Sequence, residues 1–102
     1  MDWKIEFSKD AMDDFNRLDK AVQIRLGKFL DRIISQPNPR KLGKALTGIL
    51  GLYWCYRMGD YRIICTIQDN ILTVELVRIG HRSEIYKMLN KIMKMKKINK
   101  FN

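Results

Sequence analysis

Leu52-Tyr53-Trp54-Cys55-Tyr56-Arg57-Met58-Gly59-Asp60-Tyr61-Arg62-Ile63-Ile64-Cys65-Thr66-Ile67 has the pattern of a β-hairpin around which the rest of the chain can be placed. Two strand-like runs flank Gly59-Asp60, whose leading glycine suits the first central position of a type II′ hairpin turn. Such a turn sets Met58 against Tyr61, Arg57 against Arg62 and Cys55 against Ile64. Side chains alternate along a strand, so Trp54, Tyr56, Met58, Tyr61, Ile63, Cys65 and Ile67 share a nearly all-apolar face, expected to meet helices. Tyr53, Cys55, Arg57, Arg62, Ile64 and Thr66 share the opposite, more polar face. A third strand over 71–79, entered through Asp69-Asn70 as another two-residue turn, adds Leu72, Val74 and Leu76 to the first face. Thr73, Glu75 and Val77 join the second.

Working outward, Asp2 to Phe7 alternates, with Trp3, Ile5 and Phe7 on one side, and reads as a half-buried strand. Ser8 offers a helix N-cap, followed by Asp10 in the first turn and an apolar stripe of Ala11, Met12, Phe15 and Leu18. A second helix over roughly 20–36 buries Val22, Leu26, Phe29, Leu30 and Ile33, while Arg25, Lys28 and Arg32 line another of its faces. The short link between the two helices implies an antiparallel hairpin, ended by Pro37 and Pro39. A last helix over about 83–97 carries Ile85, Met88, Leu89, Ile92 and Met93 at helical spacing, with lysines between. The fold class is therefore α+β: an N-terminal strand, a helix hairpin, a three-stranded antiparallel meander completing a small sheet, and a C-terminal helix. The expected division is one domain over 1–93 and a basic, frayed tail over 94–102.

A chain of 102 residues accommodates one modest core. Its formal charge of +9 favours a polyanionic partner. The charge is uneven: residues 20–58 hold eight bases against Asp31 alone, and six lysines but no acid follow Glu84. There is no apolar run long enough to span a membrane and no signal-like N-terminus, which implies a cytoplasmic protein without membrane partners. Cys55 and Cys65 fall on opposite sheet faces, so no disulfide is expected. With a single histidine besides, neither a zinc site nor any other metal or cofactor is expected.

On the polar face Arg57 and Arg62 come directly opposite one another, a like-charge pair that costs a few tenths to about 1 kcal/mol. An anion bridging both guanidiniums reverses the sign of that interaction. Gly80-His81-Arg82-Ser83-Glu84-Ile85-Tyr86 adds an imidazole, a guanidinium and a phenol at the end of the last strand. Cations for a phosphate and a titratable group for a proton suit RNA chemistry. Arg62, Arg82 and Tyr86 are expected to line one polar surface at the open face of the meander. His81 is the natural acid or base, against the plainer reading that it caps a strand end.

These residues resemble the RelE/ParE superfamily of bacterial toxins, in its RelE-like branch, over residues 1 to about 90. Three local matches carry the likeness: Lys44-Ala45-Leu46-Thr47-Gly48, Arg57-Met58-Gly59-Asp60-Tyr61-Arg62 and the Gly80–Tyr86 run. The resemblance implies the toxin of a type II toxin–antitoxin system, a metal-free endoribonuclease acting on the ribosome with messenger in the A site. In it the ribose 2′-OH attacks the adjacent phosphate and expels a 5′-OH. The implied catalytic residues are Arg62, Arg82 and Tyr86, to which His81 is added as the proton-transfer candidate; Lys41, Lys44, Arg57 and Lys87 are the candidate RNA-binding cations. A RelB-like antitoxin with an acidic amphipathic segment is the implied inhibitor. One departure stands out: Cys55 occupies a position where many active members carry a cation, and a thiol is no substitute for one. That leaves two alternatives, a ParE-like non-enzymatic inhibitor of DNA gyrase and an RNA-binding homologue with weakened catalysis.

Overall fold

The computed structural model describes residues 2–100, with side chains described through residue 95. Its elements run β1 (Lys4–Phe7), α1 (Lys9–Arg17), α2 (Lys20–Ser35), β2 (Gly43–Ala45), β3 (Trp54–Met58), β4 (Tyr61–Gln68), β5 (Thr73–His81) and α3 (Arg82–Lys100). They form one five-stranded sheet in the order β1-β5-β4-β3-β2. β1 lies parallel to β5 and the other neighbours are antiparallel. Among the described residues no helix is long and apolar enough to cross a membrane.

The Gly59 turn forms as expected. Gly59 has φ +58° while Asp60 keeps a negative φ, the pairing a II′ turn requires. Arg57 faces Arg62 and Cys55 faces Ile64, and both cysteines are free. The face carrying Tyr56, Met58, Ile63, Cys65, Val74 and Leu76 packs against Ala11 of α1 and Leu26, Leu30 and Ile33 of α2 to make the main core. Ser8 links strand to helix: its hydroxyl accepts from the Ala11 amide at 3.1 Å and donates to the Val77 carbonyl at 3.0 Å.

Three expectations need correction. The Asp69-Asn70 link is not a two-residue turn, because residues 69–71 make a single 3₁₀ turn and Leu72 adopts the left-handed region at φ +48°. Strand β5 therefore starts at Thr73, opposite Gln68. A bulge between Ile64 and Cys65 then shifts the pairing, so Ile79, which strict alternation would send to the polar face, returns to the main core. Thirdly, the polar face of the sheet is not open. Helix α3 and residues 46–50 cover it, and Ile64, Leu50, Ile85 and Leu89 form a second, smaller core there. Tyr53, Cys55 and Ile64 provide enough apolar surface on that face to receive the α3 stripe. Helix α3 runs to Lys100, past the expected helix end near residue 97; residues 101–102 of the expected tail lie outside the described residues.

Candidate nucleic-acid interface

Helix α3 is anchored at its first turn. The Arg82 amide donates to the Asp60 carbonyl at 2.7 Å, tying the helix start to the β3–β4 turn. Gly80, paired with Arg62, lies under that turn, where an added β-carbon would stand 3.4 Å from Ile85 Cδ1. His81 supplies the cap: its Nδ1 accepts from the Ser83 amide at 3.3 Å and lies 3.0 Å from Ser83 Oγ. Its ring stands edge-on to Tyr61, its partner across the strands, with centroids 6.1 Å apart.

This docking buries Arg62, which is only 2% exposed. Its Nη1 donates to the Gly59 and Tyr61 carbonyls at 2.8 and 2.9 Å, and its Nε donates to the Tyr86 hydroxyl at 3.1 Å. The guanidinium also sits 5.9 Å from the centre of the Tyr86 ring. Nη2 makes no hydrogen bond among the described residues. The expectation of an open surface lined by Arg62, Arg82 and Tyr86 is thus replaced by a covered one. Arg62 and Tyr86 do meet, Arg82 is exposed at the helix start, and Arg62 lies beneath the helix.

Four further residues come together on and beside β3, whose Arg57 pairs with Arg62. Lys41, Lys44, Cys55 and Arg57 line a hollow of about 180 Å³ at the β2–β3 edge. Lys44 is directly opposite Cys55 in register, so a cation stands next to the position that lacks one. Burial pushes the Cys55 thiol up, against the pull of the Arg62 and Arg57 charges, leaving it a neutral lining group. Strand β2, with three residues, was too short to be seen as a strand in the sequence. Lys87 is exposed on α3 and lines none of these cavities.

His81 is not part of this assembly. Because His81 pairs with Tyr61 and Gly80 with Arg62, the imidazole and the Arg62 guanidinium leave opposite faces of β4 and β5. His81 instead borders a separate cleft of about 430 Å³ with Asp14, Arg17, Tyr61, Arg78 and Glu84. Asp14 is the residue that sequence reasoning missed. It is 5% exposed and receives Arg78 Nε at 2.8 Å, the Ile79 amide at 2.9 Å and Arg17 Nη2 at 2.7 Å. Burial pushes its carboxyl up, but the Arg78 and Ile79 hydrogen bonds with the Arg78 and Arg17 charges outweigh it, so the net shift is downward. Since β1 pairs with β5 only as far as Leu76, Asp14 caps the strand edge that β1 leaves uncovered.

A sheet with a helix hairpin on one side and a terminal helix on the other, rimmed by lysine and arginine, is the RelE-like α+β fold. Residues 5–86 match the family described as the ParE toxin of the type II toxin–antitoxin system parDE, and the chain belongs to that family. It is a RelE-like toxin of a type II system. Toxin RelE of Mycobacterium tuberculosis is 30% identical over 86 residues, 84% of this chain and 88% of that protein. Toxin RelG of the same organism is 29% identical over 87 residues, 85% of this chain and 99% of that protein. Among solved structures, the toxin–antitoxin complex RelBE2 of M. tuberculosis aligns with a TM-score of 0.73 at 25% identity, covering 80% of this chain and 93% of that one. The isolated Escherichia coli RelE toxin shares the fold, with a TM-score of 0.66 at 22% identity over 89% of this chain and 98% of that one.

Proposed function

We propose that this toxin is an endoribonuclease that cleaves messenger RNA in the ribosomal A site by attack of a ribose 2′-OH on the adjacent phosphate. The observation that carries the reading is the convergence of Lys41, Lys44 and Arg57 around one hollow, with Lys44 in register beside Cys55. In the reaction a new bond forms between the 2′-oxygen and phosphorus while the bond from phosphorus to the 5′-oxygen breaks. The 2′ proton is lost, the departing 5′-oxygen gains one, and a 2′,3′-cyclic phosphate remains. Negative charge grows on the non-bridging oxygens, where fixed cations stabilise it more than the starting diester. Arg57 and Lys44 are exposed and ready for that role. Arg62 offers Nη2 once the phosphate displaces or slides past Tyr86, whose ring can then stack on a base. Arg82, at the start of α3, neutralises a neighbouring phosphate. His81 acts on the site indirectly, by capping the helix that carries Tyr86.

The RelBE2 relative is solved as a toxin–antitoxin complex, and an antitoxin is the inhibitor proposed here. An acidic amphipathic segment would match both the apolar stripe of α3 and the lysines around it. The competing reading, non-enzymatic inhibition of DNA gyrase, draws on the ParE description of the matched family. Programmed ribosomes carrying a message with a single 2′-deoxy nucleotide test the proposal. Cleavage at that position should vanish and return with the ribose, whereas cleavage that ignores the missing 2′-OH would overturn the mechanism.

A further inference from the structure

We infer that the exposed stripe Arg25–Lys28–Arg32 on α2 is a second RNA-docking surface, gripping the backbone of double-helical RNA; as a ribosomal contact it rests on the reading proposed above. The stripe is on the helix hairpin, across the sheet from the hollow of Lys41, Lys44 and Arg57. The three cations sit at i, i+3 and i+7, hence on one face, with rises of roughly 4.5 and 6 Å between successive members. Like charges at these spacings oppose the helix by about 0.2–0.5 kcal/mol per pair. None of the three is in an ion pair among the described residues, where the carboxylates in ion pairs are Asp14 and Asp69. The positive charge therefore stands on the surface with no carboxylate paired to it among the described residues.

Two of the guanidiniums are nevertheless placed. Arg32 lies 5.8 Å from the centre of the Phe29 ring. Arg25 rests against Gly59, with Nη2 3.1 Å from where a β-carbon would stand. Together with Met58 these residues edge a groove of about 270 Å³. Its apolar part is only Phe29 and Met58, both largely covered, which is little for a protein partner that needs an apolar centre. Evenly spaced cations over a shallow floor fit phosphates, and duplex RNA is recognised largely through its backbone and shape. The stripe ends at the turn whose Gly59 carbonyl holds Arg62. RNA held along α2 therefore sets the position of the turn that carries the cleavage face.

The test is the full chain with Arg25→Gln, Lys28→Gln and Arg32→Gln combined; all three residues are exposed, so a cooperative melt at or slightly above the wild-type temperature, from the relieved repulsion, is expected to confirm folding. A 16-base-pair RNA duplex is the first probe. The variant should bind it at least about 10-fold more weakly at low salt, with a slope of log affinity against log salt reduced by about 2 to 3. On programmed ribosomes, KM should rise by a similar factor while the saturated rate stays within about twofold. Duplex affinity and salt slope equal to wild type would overturn the inference. Loss of binding to an acidic antitoxin peptide with duplex binding intact would overturn it in favour of a protein partner. If wild type leaves messenger uncut, the proposed function fails alone, because the duplex measurement still decides whether the stripe holds RNA.

Discussion

Tyr86→Phe isolates the contact that closes the candidate site. The substitution removes one oxygen and keeps the ring, so the 5.9 Å stacking of Arg62 on residue 86 survives. What disappears is the acceptor of Arg62 Nε, a 3.1 Å hydrogen bond on a side chain only 2% exposed. Stranding a buried donor costs about 1–3 kcal/mol, with charged groups toward the upper part of that range. The Tyr86 side of the bond faces water, since that residue is 47% exposed, so the penalty falls on Arg62 and a value near 2 kcal/mol is reasonable. With a urea m-value of about 1.5 kcal/mol/M for a domain of this size, the unfolding midpoint should drop by about 1.3 M with m unchanged. Equilibrium urea titration followed by tryptophan fluorescence measures it. A midpoint shift below about 0.3 M would mean that α3 does not hold Tyr86 on a desolvated Arg62.

Other expectations follow from the same geometry. Lys44→Met should slow single-turnover cleavage about 10-fold, and Cys55→Lys added to it should restore part of the rate, because both positions supply charge to one hollow; no rescue would place the needed cation elsewhere. Asp14 carries a depressed carboxyl pKa, so its contribution is present above the ordinary carboxylate range and is lost as pH falls through the folded value. Stability measured from pH 7 down to about 2 should therefore fall less steeply in Asp14→Asn than in wild type, and parallel curves would contradict the assigned network. His81→Asn should keep the cap and most of the cleavage rate, while His81→Ala should cost about 1 kcal/mol of stability. A rate collapse in His81→Asn at unchanged stability would return the imidazole to the chemistry.

The parts of the fold legible in the sequence are those set by short-range chemistry. Gly59-Asp60 announces its turn, and from it the alternation assigns Tyr56, Met58, Ile63 and Cys65 to the main core. Ser8 and the proline pair mark the limits of the hairpin for similarly local reasons. What escaped was non-local. The bulge that carries Ile79 back to the core depends on how β4 and β5 settle together, and the burial of Asp14 depends on α1 crossing an edge that β1 stops short of covering. The same holds at the site. Arg57 opposite Arg62 could be counted from the turn, yet whether Arg62 stands in water or under Tyr86 is decided by where α3 docks. Residue type and nearness to Arg82 and Tyr86 in sequence point His81 toward the cleavage set, whereas its pairing with Tyr61 sends the ring to the other face.

Primer extension on a defined message in a translating extract, with and without the purified protein, reads A-site cleavage at single-nucleotide resolution. New 3′ ends are expected inside the codon occupying the A site, dependent on translation and strongly reduced by Arg62→Lys. An intact message, together with loss of supercoiling in a DNA gyrase assay, would contradict it and establish the non-enzymatic reading instead.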